Sequence, residues 1–230
     1  FEFRDDQAAA DALLQTDPQR HIMKANFVWD LPDIKSSETT LRYIGYAVND
    51  WQLSGIWTAA TGTTYTIGYN YQSGGSNVNI TGTPDYGARV RLVGATGNGC
   101  SSDVYRQFNT AAFQGPLVGS VGLESGNNYL VSCFSSAFDV SIARNIRLPK
   151  GRAVQFRVDM FNAPNEARIT GRNTTMNLSS PNDPVTITNL PFDANGNLIP
   201  TRSLPKNAGF GVANSYQGAR SVQAQIRFSF

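Results

Sequence analysis

Apolar and polar residues alternate along five stretches of the chain. Over residues 221–230, Val222, Ala224, Ile226, Phe228 and Phe230 fall on one side of an extended strand, and Gln223, Gln225, Arg227 and Ser229 fall on the other. The reason is that successive strand side chains point to opposite faces. Residues 20–31 set Met23, Ala25, Phe27, Trp29 and Leu31 against Lys24, Asn26 and Asp30. Residues 51–69 set Trp51, Leu53, Trp57 and Ala59 against Gln52, Ser54 and Thr58, with Ile56 breaking the alternation. Residues 137–148 oppose Phe138, Val140, Ile142, Ile146 and Leu148 to Asp139, Ser141, Asn145 and Arg147; residues 152–165 oppose Val154, Phe156, Val158 and Met160 to Gln155, Arg157 and Asp159. Each stretch is near or above the roughly 9–11 residues that a tilted spanning strand needs. Strands that are apolar on one side only suit a wall with lipid or a core on one face and water on the other.

The connections differ in kind. Leu148-Pro149-Lys150-Gly151 reads as a tight turn, whereas residues 71–136 and 166–218 read as long loops. Compact domains rarely carry structureless loops beyond about 15 residues. Outer-membrane barrels do, with short periplasmic turns and long extracellular loops. The expected fold is therefore all-β: an antiparallel transmembrane β-barrel segment with long extracellular loops. Placing Phe230 at the periplasmic rim puts the Leu148–Gly151 turn on that side and both long connections outside. Residues 32–50 are then periplasmic, and part of residues 41–48 is expected to extend the second strand. In this frame Phe27, Trp29, Phe138, Val140, Ile142, Val154, Phe156, Val158, Ile226 and Phe228 face lipid. Asp139, Arg147, Gln155, Arg157, Asp159, Gln225 and Arg227 face the lumen, where neighbouring strands pair such charges. Trp29 and Trp51 fall at the periplasmic strand ends, the level amphipathic rings favour. Arg144 points to lipid by parity, near the rim, where a long side chain reaches back to water. The rival fold is a soluble secreted β-sandwich that binds carbohydrate or another ligand; it would bury the same apolar faces beneath a second sheet.

Composition adds limits. Of 230 residues 40% are hydrophobic and 16% charged, with a formal net charge of +2. No dense Lys/Arg cluster occurs, so no nucleic-acid partner is expected. No apolar run approaches the roughly 20 residues of a spanning helix. The chain opens on FEFRDDQ rather than Met and reads as a fragment or processed product. The only cysteines are Cys100 and Cys133. In an oxidising compartment they could close a loop worth roughly 3–4 kcal/mol; the alternative is two unpaired thiols. His21, the sole histidine, would need a serine such as Ser54 opposite it to act as a hydrolase base. It stands at a loop-to-strand junction, and no enzymatic activity and no cofactor are expected. Asp193, Asn195 and Asn197 have the alternate spacing of half a calcium loop but no following bidentate Glu, which is also the pattern of an ordinary turn. Tyr65, Tyr69, Tyr71, Tyr86, Tyr105, Tyr129 and Tyr216 lie among Gly, Asn and Ser, a mixture suited to ligand contact and equally to a barrel rim.

Four stretches in order carry a family resemblance: DPQRHIMKANFVWDLP (residues 17–32), NDWQLSGIWTAATGTTYTI (49–67), FDVSIARNIRLPKGRAVQFRVDMFNAPN (138–165) and the terminal Gln-x-x-Ile-Arg-Phe-x-Phe. They resemble the C-terminal barrel portion of TonB-dependent outer-membrane transporters of the Oar-like group, in a Gram-negative bacterium. The likeness covers the strands and periplasmic turns but little of the long loops. It implies a barrel of about 22 strands around a plug, of which residues 1–230 would supply the last five or six strands of one barrel domain. The plug and the TonB-contacting region would lie outside this sequence. It also implies that outer-membrane lipid surrounds the wall, and that the barrel-assembly machinery reads the terminal aromatic, Phe230.

Overall fold

A computed structural model describes residues 19–35, 37–71, 80, 88–120 and 125–230. In chain order the elements are β1 (Ile22–Asp30), α1 (Thr39–Val48), β2 (Trp51–Ala60), β3 (Thr64–Tyr65), β4 (Gly68–Tyr71), β5 (Arg91–Leu92), β6 (Phe113–Gln114), β7 (Leu130–Val131), β8 (Ser135–Arg147), β9 (Ala153–Phe161), β10 (Ile169–Arg172), β11 (Thr175–Ser180), β12 (Asp183–Ile187), β13 (Ala213–Tyr216) and β14 (Ser221–Ser229). Two compact units result. One holds Ile22–Ala60, Ser136–Ala167 and Gly218–Phe230; the other holds Thr61–Ser135 and Arg168–Gln217.

The first unit is an open five-stranded sheet in the order β1-β2-β8-β9-β14. Its strands are the five alternating stretches, although the one expected over residues 51–69 ends at Ala60. β1–β2, β8–β9 and β9–β14 are antiparallel. So are β2 and β8, since Asn145 N donates to Asp50 O at one end while Trp57 Nε1 reaches Ser136 Oγ near the other. The β8–β9 turn closes by Leu148 N donating to Arg152 O at 2.8 Å. Lys150 and Gly151 take left-handed φ values of 67° and 75° there, cheap for glycine but not for lysine. Gly55 marks a close approach. The Phe27 ring crosses it, so that a Cβ would come within 2.4 Å of Phe27 Cε1, and stacks on Phe138 with centroids 6.5 Å apart.

Residues 39–48 do not extend the second strand; they form the helix α1. Leu41, Ile44 and Val48 recur at helical spacing, and Gly45 lets the helix approach the Ile34 carbonyl, which a Cβ would meet at 3.1 Å. Asn49 ties the helix end to its entry: its Oδ1 accepts from Ile34 N at 2.8 Å, and its Nδ2 donates to Ile34 O at 3.1 Å.

The second unit corrects the expectation of long irregular loops. Chain from both long connections folds around one core, with Tyr71, Leu130, Met176, Leu178 and Phe210 fully buried. β4 from the first connection pairs in parallel with β11 from the second, Gly68 opposite Thr175, and β12 completes that sheet. The same unit holds the two-stranded pairs β10–β13, β3–β7 and β5–β6. Phe108 meets Phe210 and Phe113 edge-on, with centroids 5.1 and 5.6 Å apart, each contact worth about 0.5–1.5 kcal/mol beyond the area it buries. Cys100 and Cys133 are joined as a disulfide.

Candidate functional site

Register divides the sheet into two chemically different faces. Paired residues point to the same side, so Ile142, Val158 and Ala224 form one row, Ile146, Val154 and Phe228 another, and Phe156 stands beside Ile226. Phe27 lies over Gly55 and against Phe138, which carries the row onto β1 and β2 together with Trp29 opposite Leu53. The apolar ribbon crosses all five strands, and no second layer covers it among the described residues. Met23 is 60% exposed, Trp29 56%, Phe156 43%, Ile226 56% and Phe228 64%. A β-sandwich would bury these residues. Phe230 is fully exposed.

The opposite face is polar. Ser141, Asp159 and Gln223 share a row, as do Asn145, Gln155 and Arg227, while Arg157 sits between Ala143 and Gln225. Arg157 Nε lies 2.8 Å from Asp159 Oδ1; both are partly exposed, so this pair fixes geometry more than it stabilises. Gln52 Nε2 donates to Asp30 Oδ1 across β1–β2 at 2.7 Å. Asp139 Oδ1 accepts from Asn162 N at 2.9 Å. Arg147 ends the same face of β8, beside the β8–β9 turn. Ile22, Val28, Ile56 and Phe161 are large apolar residues on this side; Ile56 stands opposite Asn26, Val28 opposite Ser54 and Phe161 opposite Ser221.

One end of the apolar face carries an aromatic and cationic cluster. Trp51 Nε1 donates to Ala47 O at 2.9 Å. Arg144 Nε donates to Asn49 O at 3.2 Å, and its guanidinium stands 5.6 Å from the Trp51 ring centroid. The arginine that parity sends to the apolar side thus reaches the strand end, not the middle of the sheet.

At the other end, Asn162 holds the corner after β9 with φ 50°. Its Nδ2 donates to Glu166 O at 3.1 Å and Gly218 O at 2.7 Å, and its Oδ1 accepts from Glu166 N. Asn165 Oδ1 accepts from Arg220 N at 3.0 Å. The Phe-Asn-x-x-Asn string is a clamp joining the end of β9 to the entry of β14. Its role shows only once Gly218 and Arg220 are placed beside it.

In the second unit the tyrosines mostly serve the core. Tyr69 and Tyr71 are buried and edge-on at 5.5 Å. Tyr65 OH donates to Gly99 O at 2.5 Å, and Tyr129 OH accepts from Ile67 N at 3.2 Å. Burial pushes the Tyr65 phenol up to about 12, against the opposing pull of Arg172, and raises Tyr71 and Tyr129 for the same reason. Tyr105 is half-buried, Tyr216 is exposed, and Tyr86 lies outside the described residues. Arg172, which the sequence did not single out, is buried with its guanidinium 4.8 Å from the Tyr65 ring centroid.

The remaining candidates have plain geometry. His21 meets Thr61 through its backbone, its N donating to Thr61 Oγ1 at 3.1 Å and its O accepting from Thr61 N at 3.0 Å, while Ser54 pairs with Val28 within β1–β2. Asp193 Oδ1 accepts from Asn195 N at 2.9 Å and Asn197 N at 2.8 Å, and Asn197 Nδ2 donates to Asp193 Oδ2. With Gly196 at φ 82° this is a self-satisfied turn, and those N–H donors hold the Asp193 carboxyl below its usual range. Among the described residues no three His, Cys, Asp or Glu side chains gather as a metal site.

The family model described as "Outer membrane beta barrel domain" matches residues 4–223 of the chain. No curated protein matches it, and no solved structure does.

Proposed function

The chain belongs to the outer membrane β-barrel domain family, and on that premise we propose that it forms wall strands and an extracellular loop unit of a TonB-dependent, Oar-like transporter. The protein resides in the outer membrane, as the family implies. One observation carries the reading: an uncovered apolar ribbon crosses five antiparallel strands in register, backed by a polar face bearing Asp139, Arg147, Arg157, Asp159 and Arg227. Hydrocarbon on one side and a watery lumen on the other is the environment that this division fits. Both outer strands, β1 and β14, have an edge with no partner among the described residues. Open edges invite further pairing, so additional strands, to a total of about 22, would close the wall. The β8–β9 turn would be periplasmic, and both long connections extracellular. The whole protein would move a bulky substrate, driven by TonB through a plug, with Phe230 read by the barrel-assembly machinery. No chemical step and no cofactor enter this role.

Orientation supplies the test. In intact cells producing the full-length protein, a membrane-impermeant thiol reagent should label Val185→Cys in the second unit but label Lys150→Cys only after the outer membrane is opened. Equal labelling of both in intact cells would refute the assigned sides. Energy coupling is read separately, by co-purification of the full-length protein with the periplasmic domain of TonB; absence of binding would leave a passive barrel instead.

A further inference from the structure

Ten-residue helices are marginal in water unless something covers them, and α1 lacks the usual local support. No side chain caps its N-terminus, and its first turn carries no acidic residue. Its Gly45 side is taken up by the Ile34 carbonyl and Asn49. Yet Leu41, Ile44 and Val48, which share one side at 100° per residue, remain 38%, 44% and 40% exposed. The helix is amphipathic, and its apolar stripe is uncovered among the described residues.

The contacts at its C-terminal turn fix the side of the wall on which it ends. Trp51 and Arg144 both belong to the apolar face of the sheet, and they donate to the carbonyls of Ala47 and Asn49. The apolar ribbon therefore continues into the helix rather than stopping at the strand ends. A helix destined for the lumen, or for a plug within it, would be tied to the polar face through residues such as Asn145 or Arg147. The geometry points to α1 as an interfacial foot, whose Leu41, Ile44 and Val48 lie in the headgroup–acyl boundary of the membrane at the periplasmic rim. Short amphipathic helices lie in this layer, and Trp, Tyr and snorkelling Arg favour it. Among the described residues no helix is long and apolar enough to cross a membrane, so α1 lies along the surface. This rests on the lipid-facing reading of the sheet.

The test separates the two. Single cysteines at Ile44, Val48, Thr39 and Val158 in the full-length protein, reconstituted in phosphatidylcholine–phosphatidylglycerol vesicles, receive a fluorophore; within this chain Cys100 and Cys133 are already bonded. Lipids carrying a nitroxide near the headgroup should quench the Ile44 and Val48 sites several-fold more strongly than the Thr39 site, while a deep nitroxide should quench Val158. Quenching at Val158 with Ile44 and Val48 as water-exposed as Thr39 would overturn the inference and leave the sheet reading standing. Loss of quenching at Val158 as well would overturn both.

Discussion

Placing an arginine at Val158 tests the face assignment at its most demanding point. Val158 stands in the central part of β9, in one row with Ile142 and Ala224, and has no charged residue in that row. If this row meets hydrocarbon, a guanidinium there costs about 2–4 kcal/mol near the bilayer midplane and about 0–1 near its edges. Each 1.4 kcal/mol is tenfold, so Val158→Arg should lower the folded-to-unfolded ratio by roughly 30- to 700-fold. The matched control is Gln223→Arg. Gln223 pairs with Asp159, one register step from Val158 and at the same depth, but on the polar face. An arginine there meets a carboxylate and water, and its effect should stay within about 0.5 kcal/mol. Heat-modifiable gel mobility of the full-length protein in isolated outer membranes reports assembly, and denaturant unfolding in vesicles gives the magnitude. Equal losses for the two variants would refute the division into lipid and lumen faces.

Asn162→Ala removes three hydrogen bonds at a buried corner and leaves alanine at φ 50°. It should cost about 2–4 kcal/mol, measured as a shift in the unfolding midpoint; Asn162→Gly, which tolerates the backbone, should recover part of that. Cys100→Ser with Cys133→Ser opens a link across a sequence separation of 33 and should cost the second unit about 4 kcal/mol, seen as earlier protease cleavage between residues 88 and 135. Raising the pH should leave the second unit intact up to about 10, the ordinary phenol value. Its stability should then fall as pH climbs through the Tyr65 value of about 12, because the unfolded chain releases its phenolic protons first. Phenolate absorbance that appears at ordinary pH with no accompanying unfolding would contradict the burial of these rings.

Legibility in the sequence followed periodicity. The strands were readable because each exposes one apolar side, so a two-residue alternation survives in Ser221–Ser229 and Ala153–Phe161 without knowledge of the partners. α1 was not. Residues 41–48 are apolar, aromatic or glycine except Arg42, a short run that passes for strand, while Leu41, Ile44 and Val48 also fit a helix; a short apolar run satisfies both periods. The core of the second unit escaped for another reason. Its strands span two to six residues, too short for any period, and its decisive pairing sets Gly68 beside Thr175. The dense aromatics were the available signal: Tyr65, Tyr69, Tyr71 and Tyr129 read from the sequence as ligand contact or barrel rim, whereas they pack in or against a core that also holds Phe108, Phe113 and Phe210.

The two units meet the same problem, removal of apolar area from water, in opposite ways. The sheet brings Phe27, Phe156, Ile226 and Phe228 to one face with no cover among the described residues, and on the proposed reading lipid removes them from water. The second unit surrounds its own aromatics and adds a covalent link. Segments of this length, tethered at both ends to a wall, would otherwise carry a large conformational entropy. An independent core removes that freedom; on the proposed reading these connections are extracellular, where apolar exposure can fall only by folding on themselves or binding a partner. The parallel β4–β11 pairing joins the two connections, leaving neither free to fold alone. If the chain serves as the transporter wall proposed above, a ligand arriving from outside would meet one preformed surface built from both connections, not two separate loops, and its binding would cost little ordering.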